Sequence, residues 1–212
     1  MENILLVDDH NIIREGLKIM FRDEASMFNF DEASNGDDAM MLIKENNYSL
    51  IILDLNIPGF NAKDLLQETL QLKPDAKILI FSMNAENIFA KPFLRMGARG
   101  FVRKDEDSEE IKNAILTVLS NRRYISPQLS EDLAGDLQLK QTNNPFDKLS
   151  PKQSEITRFL MEGKGLNEIC SKMNLHSSTI STQKTRIFQK LNVKNVVDLY
   201  ALAKMHSVAY NN

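Results

Sequence analysis

The chain has 212 residues, 42% of them hydrophobic and 26% charged, with only 8 Gly and 6 Pro. At roughly 100–200 residues per domain this allows one large or two small domains, each able to bury a core, and it excludes collagen-like, mucin-like and wholly disordered chains. The net charge of -3 hides a division: residues 1–122 carry 14 Lys/Arg against 21 Asp/Glu, whereas residues 147–212 carry 10 against 5, so an acidic front precedes a basic tail suited to a polyanion.

In chain order, short apolar runs alternate with amphipathic ones. Residues 4–7, 28–33, 50–53, 78–81 and 101–102 read as strands, and residues 12–21, 39–43, 65–72, 88–96 and 111–119 have helical spacing. Five strand–helix units predict an α/β fold, a five-stranded, doubly wound parallel sheet with helices on both faces, because right-handed crossovers lay each helix against the sheet. Turn signals fall between the elements at Asn35-Gly36, Pro58-Gly59 and Gly97-Ala98-Arg99-Gly100. Through residues 121–148 the pattern weakens, with Ser126-Pro127, Gly135 and a polar run at 141–145, which reads as a linker with room for one short helix.

From Leu149 only helical periodicity remains: Ile156, Phe159 and Leu160; Ile169 and Met173; Ile180, Ile187 and Leu191; Val196, Leu199, Leu202 and Ala203. This predicts a smaller all-α domain of four short helices. Ser150 caps the first, with Pro151 at its first position, and Ser177 or Ser178 caps the third. The expected organisation is therefore 1–122, a linker at 123–147, and 148–212.

No apolar run approaches the ~20 residues that span a bilayer, and the N-terminus has no signal-peptide layout, so a cytoplasmic protein without membrane contact is expected. A single cysteine, Cys170, cannot form an internal disulfide. His10, His176 and His206 have no recurrent metal-ligand spacing and are expected to be structural or surface residues, which argues against a zinc site.

Ligands of an open parallel sheet bind beyond the carboxyl ends of its strands, so the polar residues that end apolar strands are the ones to collect. Asp8 and Asp9 follow the first strand, Asp54 the third, Ser82 the fourth and Lys104 the fifth. Three carboxylates on one rim repel one another unless a cation joins them, and hard oxygen donors suit Mg²⁺. Taken singly, Asp8-Asp9 reads equally as a helix cap, and Ser82, Phe101 and Lys104 as ordinary surface or core residues; their joint order carries the reading.

These residues carry a family resemblance. Val7-Asp8-Asp9-His10, the stretch Leu53-Asp54-Leu55-Asn56-Ile57-Pro58-Gly59, Ser82, and Gly100-Phe101-Val102-Arg103-Lys104-Asp105 resemble a two-component receiver domain of flavodoxin-like fold. The resemblance implies that Asp54 accepts a phosphoryl group from the phosphohistidine of a sensor histidine kinase, with Mg²⁺ held by Asp9, Asp54 and the Asn56 carbonyl and Asp8 acting through water. It further implies that Lys104 and Ser82 each meet a phosphoryl oxygen and that Phe101 is the aromatic that turns inward when the hydroxyl moves. An aspartate-nucleophile phosphatase shares a strand-end Asp, but it needs a carboxylate two residues on as general acid, and Asn56 is an amide. A nucleotide-binding α/β domain would follow its first strand with a glycine-rich loop, not with Asp8-Asp9-His10.

In the tail, residues 149–156 (Leu-Ser-Pro-Lys-Gln-Ser-Glu-Ile), Gly163, residues 167–170, Thr179-Ile180 and residues 187–193 resemble a LuxR-type helix-turn-helix, and the whole chain resembles a NarL/FixJ-family response regulator. The third helix, about residues 178–191, is then the recognition helix for double-stranded DNA. At 100° per residue Ile180, Ile187 and Leu191 share one face while Ser181, Thr182, Thr185, Arg186 and Gln189 lie opposite, able to reach base edges. Lys184, Lys190 and Lys194 flank that face and suit phosphates. A solvated amphipathic helix gives the same wheel. The sequence departs from the family pattern at Lys152-Gln153, where Arg-Glu is usual, at Ser181 for a frequent Lys, and at Gln183 for a frequent His.

In the resembling family the last helix pairs two DNA-binding domains, which makes Val197, Tyr200 and Lys204 interface candidates; core packing accounts for the same apolar surface equally well. The resemblance implies a transcription regulator that is not an enzyme and that forms a homodimer when phosphorylated. A constitutive DNA-binding regulator, its receiver serving only for dimerisation, is the alternative.

Overall fold

The computed structural model describes residues 1–127, 129–130 and 144–206. The chain divides into two compact units, Met1–Ala134 and Gly135–Asn212. Residues 131–143, the middle of the expected linker, lie outside the described residues, as does the side chain of Lys204.

In the first unit, β1 (Glu2–Val7), β2 (Phe28–Ala33), β3 (Leu50–Leu53), β4 (Ile78–Ser82) and β5 (Gly100–Arg103) alternate with α1 (Asn11–Met20), α2 (Gly36–Glu45), α3 (Ala62–Leu72), α4 (Glu86–Met96) and α5 (Ser108–Leu119). All strand pairs are parallel, in the order β2-β1-β3-β4-β5. Every residue of β3 and β4 is buried, as expected of central strands covered on both faces. Alternate residues of the pleat separate two cores. Ile4 and Leu6 of β1 pack with Leu17 and Phe21 around α1 and with Ile111, Ile115 and Val118 of α5. Leu5 and Val7 turn to the other face, and each such aliphatic side chain contributes about 1.5–3 kcal/mol by burial.

Asn35-Gly36 is a helix start and not a turn: Asn35 is the N-cap of α2, its side chain accepting from Asp38 N (2.9 Å), with Asp37 and Asp38 favourably placed on the helix dipole. Gly36 has no room for a side chain, because a Cβ there would lie 2.1 Å from Phe60 Cγ. Gly97 closes α4 at φ +116, where its own N–H and that of Ala98 bond back to Leu94 and Phe93 carbonyls.

The packing of this unit runs past residue 122. Tyr124 is buried in the α1/α5-side core and bridges to Gly100, its hydroxyl donates to Glu110, and Ser126 donates to Glu86 (2.8 Å).

The second unit begins with a 3₁₀ turn at Pro145–Lys148, which buries Phe146, followed by α6 (Pro151–Met161), α7 (Leu166–Met173), α8 (Ser177–Leu191) and α9 (Val196–Met205). Ser150 caps α6 as expected and forms a reciprocal box with Gln153. Ile156, Phe159, Leu160, Ile169, Ile180, Ile187, Leu191, Leu199, Leu202 and Ala203 fill the core, as the periodicity read from the sequence expects, while Met173 and Val196 of the same set are only half-buried. The expected serine cap of α8 is not formed: His176 is the N-cap, without a side-chain bond, and Ser177 and Ser178 are its first two helical residues. Among the described residues no helix is long and apolar enough to cross a membrane.

Candidate functional site

The sheet order reverses between β1 and β3, and the acidic residues gather there. Main-chain hydrogen bonds fix each strand end. Asp8 N donates to Ala33 O (3.1 Å), Asp54 N to Val7 O (2.9 Å) and Lys104 N to Ser82 O (3.1 Å), so four neighbouring strands deliver their polar ends in one register.

The side chains of Asp8, Asp54 and Lys104 converge. Lys104 Nζ lies 2.5 Å from Asp8 Oδ2 and 2.9 Å from Asp54 Oδ2, all three side chains being almost wholly buried. Asp9 is more open and lies beside His10, whose Nδ1 is 2.8 Å from Asp9 Oδ1 and 3.2 Å from Asp8 Oδ1. Ser82 is fully buried, its hydroxyl oxygen accepting from Asn84 N (3.3 Å), and Phe101 on β5 is fully buried. Asn56 sits exposed in the loop after β3, where its side-chain oxygen accepts from Asn84 Nδ2 (3.2 Å), bridging the loops that leave β3 and β4.

Three carboxylates against one ammonium leave an excess of negative charge in a site with little water to screen it. Asp54 Oδ1 is buried and takes no hydrogen bond among the described residues, which for an ionised oxygen is costly without a cation. The carboxylates of Asp8, Asp9 and Asp54 lie close enough to share one ion, and their hard oxygen donors match a divalent cation. The residues present therefore fit the Mg²⁺ that the resemblance implies.

Sequence reasoning missed two contributors. Arg14 on α1 donates through Nη1 to the Asp8 carbonyl (2.6 Å), through Nη2 to Asn11 Oδ1 (3.1 Å) and through Nε to Glu32 Oε2 on β2 (2.6 Å). It ties the turn that bears Asp8 to the neighbouring strand. Hydrogen bonds from Lys18 and then Arg14 hold the Glu32 carboxyl below its ordinary value. His10 is the other: it is exposed, as expected, but its ring nitrogen lies at the carboxylates. Arg14 and Glu32 are 18 residues apart, beyond any local window; His10 adjoins Asp9, and that adjacency is the signal the sequence offered.

In the second unit Ser181, Thr182, Thr185, Arg186 and Gln189 are all exposed on α8, opposite buried Ile180, Ile187 and Leu191. Thr182 and Thr185 hydroxyls donate back to the carbonyls of Ser178 (2.9 Å) and Ser181 (3.2 Å), leaving their lone pairs outward. Asn174, in the left-handed region, ends α7 and begins the turn into α8. The cations differ among themselves. Lys194 is exposed and Lys184 lies over the Phe188 ring (5.4 Å), but Lys190 Nζ is engaged within the unit, donating to Gln153 Oε1 (2.8 Å) and Lys148 O (3.0 Å). On α9, Val197 and Tyr200 are exposed while Leu199, Leu202 and Ala203 face the core.

Residues 4–116 match the response regulator receiver domain family, and residues 147–203 match the family of bacterial regulatory proteins, luxR family. The chain is 30% identical over 209 residues to the response regulator UvrY of Escherichia coli (strain K12), covering 98% of this chain and 96% of that one. It is 31% identical over 209 residues to the response regulator GacA of Pseudomonas aeruginosa, covering 98% of each. Among solved structures, the two-component response regulator RcsB in its DNA complex superposes with a TM-score of 0.71 at 24% identity, covering 98% of this chain and 99% of that chain, a likeness of fold.

Proposed function

The chain belongs to the NarL/FixJ-family response regulators, DNA-binding transcription regulators that join a receiver to a LuxR-type helix-turn-helix, and from that premise we propose that phosphorylation of Asp54 by a sensor histidine kinase controls its dimerisation and its binding to DNA. The observation that carries the reading is Asp54 itself: a buried carboxylate at the switch point, one oxygen on Lys104 and the other without a hydrogen bond.

In the transfer, an Asp54 oxygen attacks phosphorus, the N–P bond of the donor phosphohistidine breaks, and the departing imidazole takes up a proton. Lys104 exchanges its contact with Asp54 for one with a phosphoryl oxygen, and the Ser82 hydroxyl donates to another. Asp9, Asp54 and the main-chain carbonyl of Asn56 would hold Mg²⁺, with Asp8 acting through water, and the ion when bound would neutralise charge on the phosphoryl oxygens. Movement of Ser82 and Phe101 then carries the change from the site into the α4–β5 region. In the basic unit Ser181, Thr182, Thr185, Arg186 and Gln189 read base edges and Lys184 and Lys194 meet phosphates, whereas Lys190, expected beside them, is held within the unit by Gln153 and Lys148. A cytoplasmic location and pairing through Val197, Tyr200 and Lys204 complete the reading.

The test is the intact mass of the wild type and of Asp54→Asn after incubation with Mg²⁺ and a small acyl-phosphate donor, with sedimentation and retention of a randomised duplex pool followed on the same samples. A single phosphoryl adduct that requires Asp54, together with a heavier species and tighter DNA retention, is expected. No adduct would overturn phosphorylation control, and an adduct that changes neither sedimentation nor retention would leave a constitutive DNA-binding regulator with the receiver as a dimerisation module.

A further inference from the structure

The acidic site contains one donor that is not an oxygen. His10 N–H donates to Asp8 Oδ1 (2.9 Å), which pins the residue at the N-terminus of α1, and Nδ1 of its ring lies 2.8 Å from Asp9 Oδ1 and 3.2 Å from Asp8 Oδ1. Single ligand atoms from Asp8, Asp9, His10 and Asp54 lie within 4.8 Å of one another. Donors on opposite sides of an ion bound at about 2.1 Å are about 4.2 Å apart, so the widest-spaced pair of the four has to close by about 0.6 Å. The His10 ring is mostly exposed and can make that adjustment without disturbing the core, while Asp54, with its Oδ1 lacking a hydrogen bond, is the buried oxygen awaiting a cation.

We propose that His10 makes this a mixed oxygen–nitrogen site that takes a borderline divalent transition-metal ion, of the class of Co²⁺, Ni²⁺ and Zn²⁺, in competition with Mg²⁺, with Nδ1 of His10 setting the preference. Carboxylates alone favour hard ions such as Mg²⁺ and Mn²⁺, whereas an imidazole nitrogen favours the later transition ions. The place is already marked: Nδ1 lies beside the Asp8 and Asp9 carboxylates, where an ion would bring the same three atoms together. The proposal rests on the acidic cluster being a divalent-cation site, as in the function proposed above, and adds which ions it selects and by which residue.

The experiment is calorimetric titration of the full chain with Co²⁺ and, separately, with Mg²⁺ at one fixed pH, comparing the parent with His10→Asn, His10→Ser and Asp54→Asn. All carry Cys170→Ser, so that the thiol takes no cobalt. Either His10 substitution is expected to weaken Co²⁺ by about tenfold or more while Mg²⁺ changes by less than about twofold, and Asp54→Asn is expected to weaken both. Excess Mg²⁺ displaces Co²⁺ from the parent. Parallel losses of both ions in the His10 variants, an unchanged Co²⁺ affinity, or Co²⁺ binding that survives Asp54→Asn would each overturn the proposal. Phosphoryl adducts measured in Mg²⁺ on the same variants keep the two readings apart. Normal adducts with an unmoved Co²⁺/Mg²⁺ ratio sink the His10 assignment alone, and a missing adduct in the parent sinks phosphorylation alone.

Discussion

Replacing Gly36 with alanine tests whether the loop that follows Asp54 is held in place by packing of Phe60 on the start of α2. A Cβ at position 36 would lie 2.1 Å from Phe60 Cγ, 2.2 Å from Cδ2 and 2.7 Å from Cβ. Rotation about χ1 carries Cγ and Cδ2 away but leaves Cβ where it is, so the main chain around Phe60 has to move as well. Forcing a methyl into such a contact costs typically about 1–3 kcal/mol, while Gly→Ala in a right-handed helical position regains about 0.4–1 kcal/mol from the unfolded chain. The net is a loss of about 1–2 kcal/mol, or roughly 3–10 °C in the melting temperature of the first unit. The assay is thermal unfolding by circular dichroism on a double-mutant cycle with Phe60→Ala, alongside the rate of Asp54 phosphorylation. Removing the ring should recover at least about 0.5 kcal/mol of the cost, the remaining contact being the Phe60 Cβ. A neutral or stabilising Gly36→Ala, or a cost unchanged in the Phe60→Ala background, would refute the reasoning. Stability lost with a normal phosphorylation rate would separate the loop's packing from the site.

Two further predictions concern charge. Because Lys18 and Arg14 depress the Glu32 pKa in the folded state, the Glu32 network stabilises above the unfolded carboxyl pKa and is lost as pH falls through the lower folded value. Glu32→Gln should therefore cost about 1 kcal/mol at pH 7 by urea denaturation, with the gap to the wild type closing below about pH 4; a gap constant with pH would sink this account. In the second unit, Lys194→Met should flatten the salt dependence of DNA binding by about one unit of log–log slope, whereas Lys190→Met should lower that unit's unfolding midpoint with a smaller change of slope. Equal slopes for the two variants would place Lys190 on DNA after all.

What the sequence disclosed depended on how far apart the partners lie along it. β3 and β4 were legible because strands buried on both faces are continuous apolar runs, and the site was legible because each run ends on its polar residue, Asp54 in one and Ser82 in the other. Asn35-Gly36 was ambiguous because Asn serves equally in turns and as a helix cap; Phe60, 24 residues on, is what demands the glycine. Ser177 and Ser178 open α8 instead of capping it: any of a run of hydroxyls can cap, while the boundary here follows Asn174, which ends α7 in the left-handed region. Tyr124 belongs to the first unit through one bridge, one hydroxyl contact and burial, none of which leaves a periodic trace in the sequence.

Two of the departures from the family pattern in the tail are separate oddities along the chain and a single contact in space. Gln153, where Glu is usual, and Gln183, where His is frequent, meet between α6 and α8, Gln153 Nε2 donating to Gln183 Oε1 (3.1 Å). The other end of the same amide, Gln153 Oε1, accepts from Ser150 N (3.2 Å) and Lys190 Nζ (2.8 Å), so one nearly buried side chain completes a helix cap, joins two helices and holds a cation. Giving up a carboxylate in the first turn of α6 forgoes about 0.3–1 kcal/mol of interaction with the helix dipole. What replaces it is an amide pair with no ionisable group, which keeps α8 seated on α6 without dependence on pH near neutrality. It also draws Lys190 inward, which sets that cation apart from exposed Arg186 and Lys194 and half-buried Lys184 in the same helix region.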